Sequence, residues 1–167
     1  MTSKLKTDVL ETGSGSGTIA LNNQLSGMTS ASVPSGSVLQ IVTSMFNTNV
    51  ASASTSFVST GHSVTITPKE STSKILLSLT GGVAAQSTNR FMTVTFYKGS
   101  SQLSNTFESK HGVNADNLVH GHSMSGEDTH GVTSAITYSI YFLAQNGNCQ
   151  YASTIGKIAL TATEIKQ

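Results

Sequence analysis

The residues best equipped for chemistry cluster in one stretch. Between Ser104 and Gly131 the sequence SNTFESKHGVNADNLVHGHSMSGEDTHG holds four of the five histidines, His111, His120, His122 and His130, with Glu127 and Asp128 among them. His120 and His122 flank a single glycine. On a strand, residues two apart point to the same face, so this pair can share one divalent metal ion. A zinc hydrolase needs more: three ligands, an open position and a placed general base, for which Glu127 is the candidate. That reading predicts turnover lost on His120→Ala or Glu127→Ala. The spacing matches no metalloenzyme motif such as H-E-x-x-H, and the competing reading is a solvated polar loop.

Other nucleophile signals are weaker. Serines abound, but no G-x-S-x-G elbow accompanies them. The glycines of GSGSG at Gly13 to Gly17 lack a strand-to-helix context and a P-loop lysine, so they read as a flexible turn. The single cysteine, Cys149, excludes an intrachain disulfide and reads as a small residue beside a turn. No catalytic residue is assigned. Tyr97, Tyr141 and Tyr151 are the candidate ligand contacts, because a tyrosine ring can stack on a sugar while its hydroxyl bonds water. Trp, the side chain with the largest stacking face, is absent. Phe91, Phe96, Phe142, Ile140 and Ile75 read as core, and Arg90 as a solvated strand end.

Strands must position these residues. From Val38 onward the chain runs in strand-length segments rich in Val, Ile, Thr, Phe and Tyr: SVLQIVTSMF, HSVTITP, SKILLSLTGGVAA, RFMTVTFYKG, TSAITYSIYFLAQNG and GKIALTATEI. Several alternate with period two, as in Ile136, Tyr138, Ile140 and Phe142 against Thr137, Ser139, Tyr141 and Leu143. YKGSSQL and QNGNCQ carry hairpin signals, Asn146-Gly147 above all. No window shows a helical stripe. The expected fold is all-β, a jelly-roll-like antiparallel β-sandwich. The stretch from Ser104 to Gly131 is expected to be a long loop holding one strand, or an exposed edge.

Residues 1–37 differ from this pattern. Their short apolar runs, of which Thr18 to Leu21 is the longest, are separated by Gly, Ser and Asn. Such runs gain stability only against another chain, so the segment is expected to be an extended arm, with residues 38–167 as the head.

The whole-chain balance sets limits. With 167 residues, one main core is expected. A net charge of +1 and a charged fraction of 10% give no field to gather nucleic acid or an anionic membrane. Ser and Thr make up about three residues in ten, and Leu, Ile, Val and Phe roughly 23%, enough to fold but on a thin core. A thin core without disulfides points to oligomerisation, with a metal as the second option. No apolar run reaches the ~18 residues of a membrane span, and the start, MTSKLKTDVLETG, lacks signal-peptide features.

The segment TDVLETGSGSGTIALNNQLSGMTSASVPSGSVLQIV, followed by GHSVTITPKESTSKILLSLTG, resembles bacteriophage tail-fibre and virion appendage proteins, especially those of phages of aquatic bacteria. The resemblance covers most of the chain, is most specific over residues 13–80, and does not extend to the histidine-rich stretch. It implies a homotrimer of β-sandwich heads like those of the tumour-necrosis-factor and C1q type, on the outside of a virion and made in the host cytoplasm. It implies adsorption to a host-surface glycan, with residues 1–37 joined to other virion proteins. In such a trimer, three His120 and His122 pairs at the axis would supply six imidazoles to one cation. The absence of a long tail-binding domain leaves a second position open, that of a head-decoration or cement protein.

Overall fold

The structure, a computed structural model, describes residues 30, 33–85, 90–103, 109–113, 119–152 and 157–167. The expected arm falls almost wholly outside them. The described elements are β1 (Val38–Phe46), β2 (Val50–Ser52), β3 (Val58–Ile66), β4 (Lys74–Ala85), β5 (Arg90–Lys98), β6 (Ser101–Gln102), β7 (Ser109–Val113), β8 (Val119–Thr129), β9 (Ile136–Gln145), β10 (Cys149–Ala152) and β11 (Ile158–Ile165).

The pairing is that of a rolled ribbon. The eight principal strands pair antiparallel from the outside inward, β1 with β11, β3 with β9, β4 with β8 and β5 with β7. Rolling that ribbon adds the contacts of β11 with β4 and of β9 with β5. One sheet then runs β1, β11, β4, β8, and the other β3, β9, β5, β7. Counting the eight in chain order gives 1-8-3-6 and 2-7-4-5, the order of a jelly roll. The short strands fill gaps: β10 continues the line of β11 along β4 and carries β2, and β6 caps β5. The expected sandwich is therefore present.

Alternation builds the core. Ile136, Tyr138, Ile140 and Phe142 on β9 meet Ile75, Leu77 and Leu79 on β4 and Ile158, Leu160 and Ala162 on β11, all buried between the sheets. Each large apolar side chain taken from water contributes about 1.5–3 kcal/mol. Phe96, Phe142, Ile140 and Ile75 are core, as expected. Phe91 is not: it lies on the outer side of β5, opposite in parity to Met92, Val94 and Phe96, and is 44% exposed.

Of the two forms expected for Ser104 to Gly131, the structure has the edge: among the described residues the stretch forms β7 and the eleven-residue β8, each paired on one side only, with β5 and β4. Its inward positions hold His122, Met124, Gly126, Asp128 and His130, which hide the apolar alternation that marks the other strands. Asn146 and Gly147 do form a tight turn with positive φ, 65° and 118°. They close no hairpin, because β9 belongs to one sheet and β10 to the other. The YKGSSQL turn is a hairpin, with Lys98 paired to Ser101 around Gly99.

The sandwich is polar end to end. Ser30, Val33 to Ser37 and Lys166 share one end: Gly36 N–H donates to Lys166 O at 2.8 Å, Lys166 N–H to Ser37 O at 2.9 Å, and Lys166 Nζ to Ser30 O at 2.7 Å. The β3-to-β4 turn joins them there through Glu70, 3.8 Å from Lys166 Nζ. The opposite end carries the β9-to-β10 turn and the facing ends of β7 and β8.

Candidate functional site

β8 sets the histidine chemistry. Its register with β4 pairs position 120 with Val83 and His122 with Gly81, and His122 lies on the inward side of the sheet. The His120 and His111 side chains lie outside the described ones. His122 is 4% exposed, edge-on to Tyr151 with ring centroids 6.3 Å apart. The His122 ring is thus enclosed between the two sheets. Glu127 has the opposite parity. It is exposed on the outer side of β8, 3.7 Å from Lys74 Nζ, so it and His122 face opposite sides of one strand and cannot meet at one ion. Among the described residues, no three His, Cys, Asp or Glu side chains converge on a metal position.

A serine, a histidine and a glutamate do come together, buried, at the other end of β8. Ser73 Oγ donates to Glu164 Oε1 at 2.6 Å and lies 3.2 Å from His130 Nε2. Val132 N–H donates to His130 Nδ1 at 3.2 Å, which leaves the ring hydrogen on Nε2, pointing at Ser73. The serine thus stands between histidine and carboxylate, whereas a nucleophilic triad requires histidine in the middle to take the hydroxyl proton. The arrangement holds the β3-to-β4 turn. Glu164 also accepts from Lys69 and Glu70 N–H, at 2.9 and 3.1 Å, and from Gln40 Nε2 at 2.6 Å. Burial pushes its carboxyl up, but the hydrogen bonds from Ser73, Gln40, Lys69 and Glu70 outweigh that and hold it below its ordinary value.

A second buried network ties sheet to sheet. Tyr138 Oη on β9 donates to Asp128 Oδ2 on β8 at 2.6 Å, and Lys98 Nζ on β5 stands 2.8 Å from the same oxygen. Burial first, then the bond to Asp128 and its charge, raise the Tyr138 hydroxyl far above the usual phenol value.

The third polar cluster sits near the far end. His62 follows Gly61, whose φ of +74° lies within an irregular register against β9. Its ring stacks on Phe46 at 4.4 Å and approaches Tyr151 at 6.1 Å; Nε2 pairs with Thr48 Oγ1 at 2.9 Å. His62 Nδ1 and Tyr151 Oη are buried with no hydrogen-bond partner among the described residues. Burial lowers the imidazole and raises the phenol.

The three tyrosines divide. Tyr151 is fully buried, so its ring is closed to a sugar, because β10 turns it between the sheets. Tyr97 and Tyr141 do come together on the outside of the second sheet, stacked 3.8 Å apart with Phe57 edge-on to Tyr97 at 6.2 Å. Their rings spend one face on each other and leave a half-buried aromatic wall. Cys149 is buried beside its turn, with Sγ 3.6 Å from Phe91 O.

The outer side of the first sheet was not legible as a site. Register across β1, β11, β4 and β8 gives rows of Met45, Ala159, Thr80 and Ser123, then Thr43, Thr161, Ser78 and Ser125, then Ile41, Thr163, Leu76 and Glu127. Ile41 and Met45 stand out along β1, while the serines of β4 and β8 leave a hollow of about 450 Å3 walled by Leu76, Glu127 and Thr163. Only the exposed halves of alternating strands could have signalled it, and they look like ordinary surface.

No family model matches the chain, and no curated protein matches it either.

Proposed function

We propose that the chain is a structural component of a bacteriophage virion, a trimeric tail fibre or appendage whose β-sandwich head is presented for adsorption to host-surface glycan. The observation that carries this reading is the molecule's polarity. The root of the N-terminal segment and the C-terminal strand are tied together by Lys166 at one end, and the turns of the far end are left for contact. The buried Ser, His, Glu, Asp and Tyr groups at the arm end serve fold-holding networks, so the mechanism is burial and multivalent contact. Three heads raise apparent affinity because the first contact makes the next intramolecular. Tyr97 and Tyr141 are the side chains offered to a sugar.

The nearly uncharged outer face of the first sheet favours a second reading, a capsid-decoration protein clamped between neighbours. Cryo-electron microscopy of purified virions separates the two. Three-fold density on the tail, together with competition of phage adsorption by the purified protein, supports adsorption. Density at capsid three-fold positions, with adsorption unaffected, overturns it in favour of decoration.

A further inference from the structure

His62 and Tyr151 belong to one buried cluster that bridges the two sheets. His62 comes from β3 in the second sheet, Tyr151 from β10 and His122 from β8 in the first. Phe46, at the end of β1, stacks on the His62 ring with the planes 13° apart, and Thr48, in the link to β2, holds its Nε2. Thr48 also begins the crossing from the first sheet to the second. That crossing is lightly fastened: β2 has three residues and, among the described residues, pairs with β10 alone, and Ala144 N–H donates to Ser54 O just beyond it at 2.8 Å. We infer that the cluster is a proton-operated latch: when His62 takes up a proton, the crossing from Thr48 to Ser54 comes away while both sheets stay intact.

The closed site suits a neutral imidazole. A neutral ring has one N–H and one acceptor nitrogen, so the Thr48 hydroxyl and an apolar surround can house it. Protonation makes both nitrogens donors, and Nδ1 has no acceptor among the described residues. Nothing nearby balances the charge. The strands packed against β3 are β9, β1 and β11, and their inward titratable groups are Tyr138 and Glu164, which are already bonded to Asp128 and Ser73. Across the sandwich, β10 brings the Tyr151 phenol, which burial keeps neutral, and β8 brings His122, whose protonation would add like charge. The Phe46 face attracts a cation, but a buried ion loses more in hydration than one ring returns. Release of the crossing, the least fastened cover of the ring, returns that hydration by local opening. Burial holds the imidazole below its ordinary value of 6.5, so the closed form binds fewer protons than the open one. The latch is therefore fully closed above pH 6.5 and weakens as pH falls toward and through the lower, closed value. One proton raises the opening equilibrium by at most about tenfold per pH unit.

The test is amide hydrogen exchange of the full chain and of His62→Phe, which keeps a ring against Phe46 and cannot titrate. Exchange is compared at about pH 8 and about pH 5, the span over which histidine charges, after correction for the intrinsic pH dependence. In the parent, the β2 and β10 amides should lose protection by about tenfold or more at the lower pH, while those of β4, β5 and β9 keep theirs. In His62→Phe the β2 and β10 amides should keep their protection at both. A second measurement needs no variant: nitrogen NMR of the parent should find the His62 ring neutral at pH 6.5 and charging together with the loss of protection. Undiminished protection in the parent overturns the latch. So does an equal loss in His62→Phe, which assigns the proton to another group, or a loss spread evenly over β4, β5 and β9, which is unfolding of the whole head. A His62 ring that charges while β2 stays protected overturns it as well.

Discussion

At the scale of single residues, Glu164 is the most constrained group among the described residues. Its carboxylate serves Ser73, Gln40 and the N–H groups of Lys69 and Glu70, and Glu164→Gln would set an amide hydrogen against one of those donors. A loss of roughly 2–3 kcal/mol is expected, read by urea unfolding at neutral pH. The same group links stability to pH. Its folded carboxyl titrates below the ordinary value of 4.5, so the folded state binds fewer protons than the unfolded chain near that pH. The contribution is fully present above pH 4.5 and is lost as pH falls through the lower, folded value. Glu164→Gln should flatten this acid limb, and a limb of unchanged steepness would place the titration elsewhere. Two buried tyrosines make a contrasting pair. Tyr138→Phe removes a 2.6 Å bond to Asp128 and should cost about 1–2 kcal/mol. Tyr151→Phe removes a buried hydroxyl that has no hydrogen-bond partner among the described residues and should be neutral or stabilising. Equal losses in thermal unfolding would contradict this assignment of the two networks.

At the scale of elements, the polarity of β8 and the irregularity of β3 shape the interior. β8 and the residue after it hold aspartate and histidine at inward positions because partners exist for them: Tyr138 and Lys98 across the sandwich for Asp128, and Ser73 beside β4 for His130. In β3 the turn at Gly61 keeps Thr60 and His62 both facing inward, Thr60 Oγ1 donating to Ile140 O at 2.8 Å. An added Cβ at Gly61 meets open space, so Gly61→Ala should cost only the left-handed backbone penalty of about 1 kcal/mol, visible as a lower unfolding midpoint. A much larger loss would mean that His62 had been displaced from Phe46, which a near-ultraviolet spectrum would report.

At the scale of the molecule, the segment before β1 is tied to the last strand: Gly36, Ser37 and Ser30 are all bonded to Lys166. A chain beginning at Val38 should therefore unfold earlier than one beginning at Ser30, because it loses these bonds. Equal midpoints for the two truncations would show that the arm root contributes no stability.

The division between sequence and structure follows from the range of the interactions. Composition marked β1 as a strand, and local periodicity was sufficient for β5 and β9, because period two survives in the sequence wherever apolar residues fill the inward face; the sequence also identified Phe96, Ile140 and Phe142 as core. It failed for β8, whose inward side chains are polar and acceptable only beside partners distant in the chain. It failed for Asn146-Gly147, because a turn's local conformation does not say which sheet the next strand joins. The side of β8 on which His122 lies required the register with β4. The tertiary structure alone decided that Tyr151 is buried while Tyr97 and Tyr141 stack, that Ser73 lies between His130 and Glu164, and that Ile41, Met45 and Leu76 share one surface. Each of these depends on strands that are far apart in sequence and 4.8 Å apart in space.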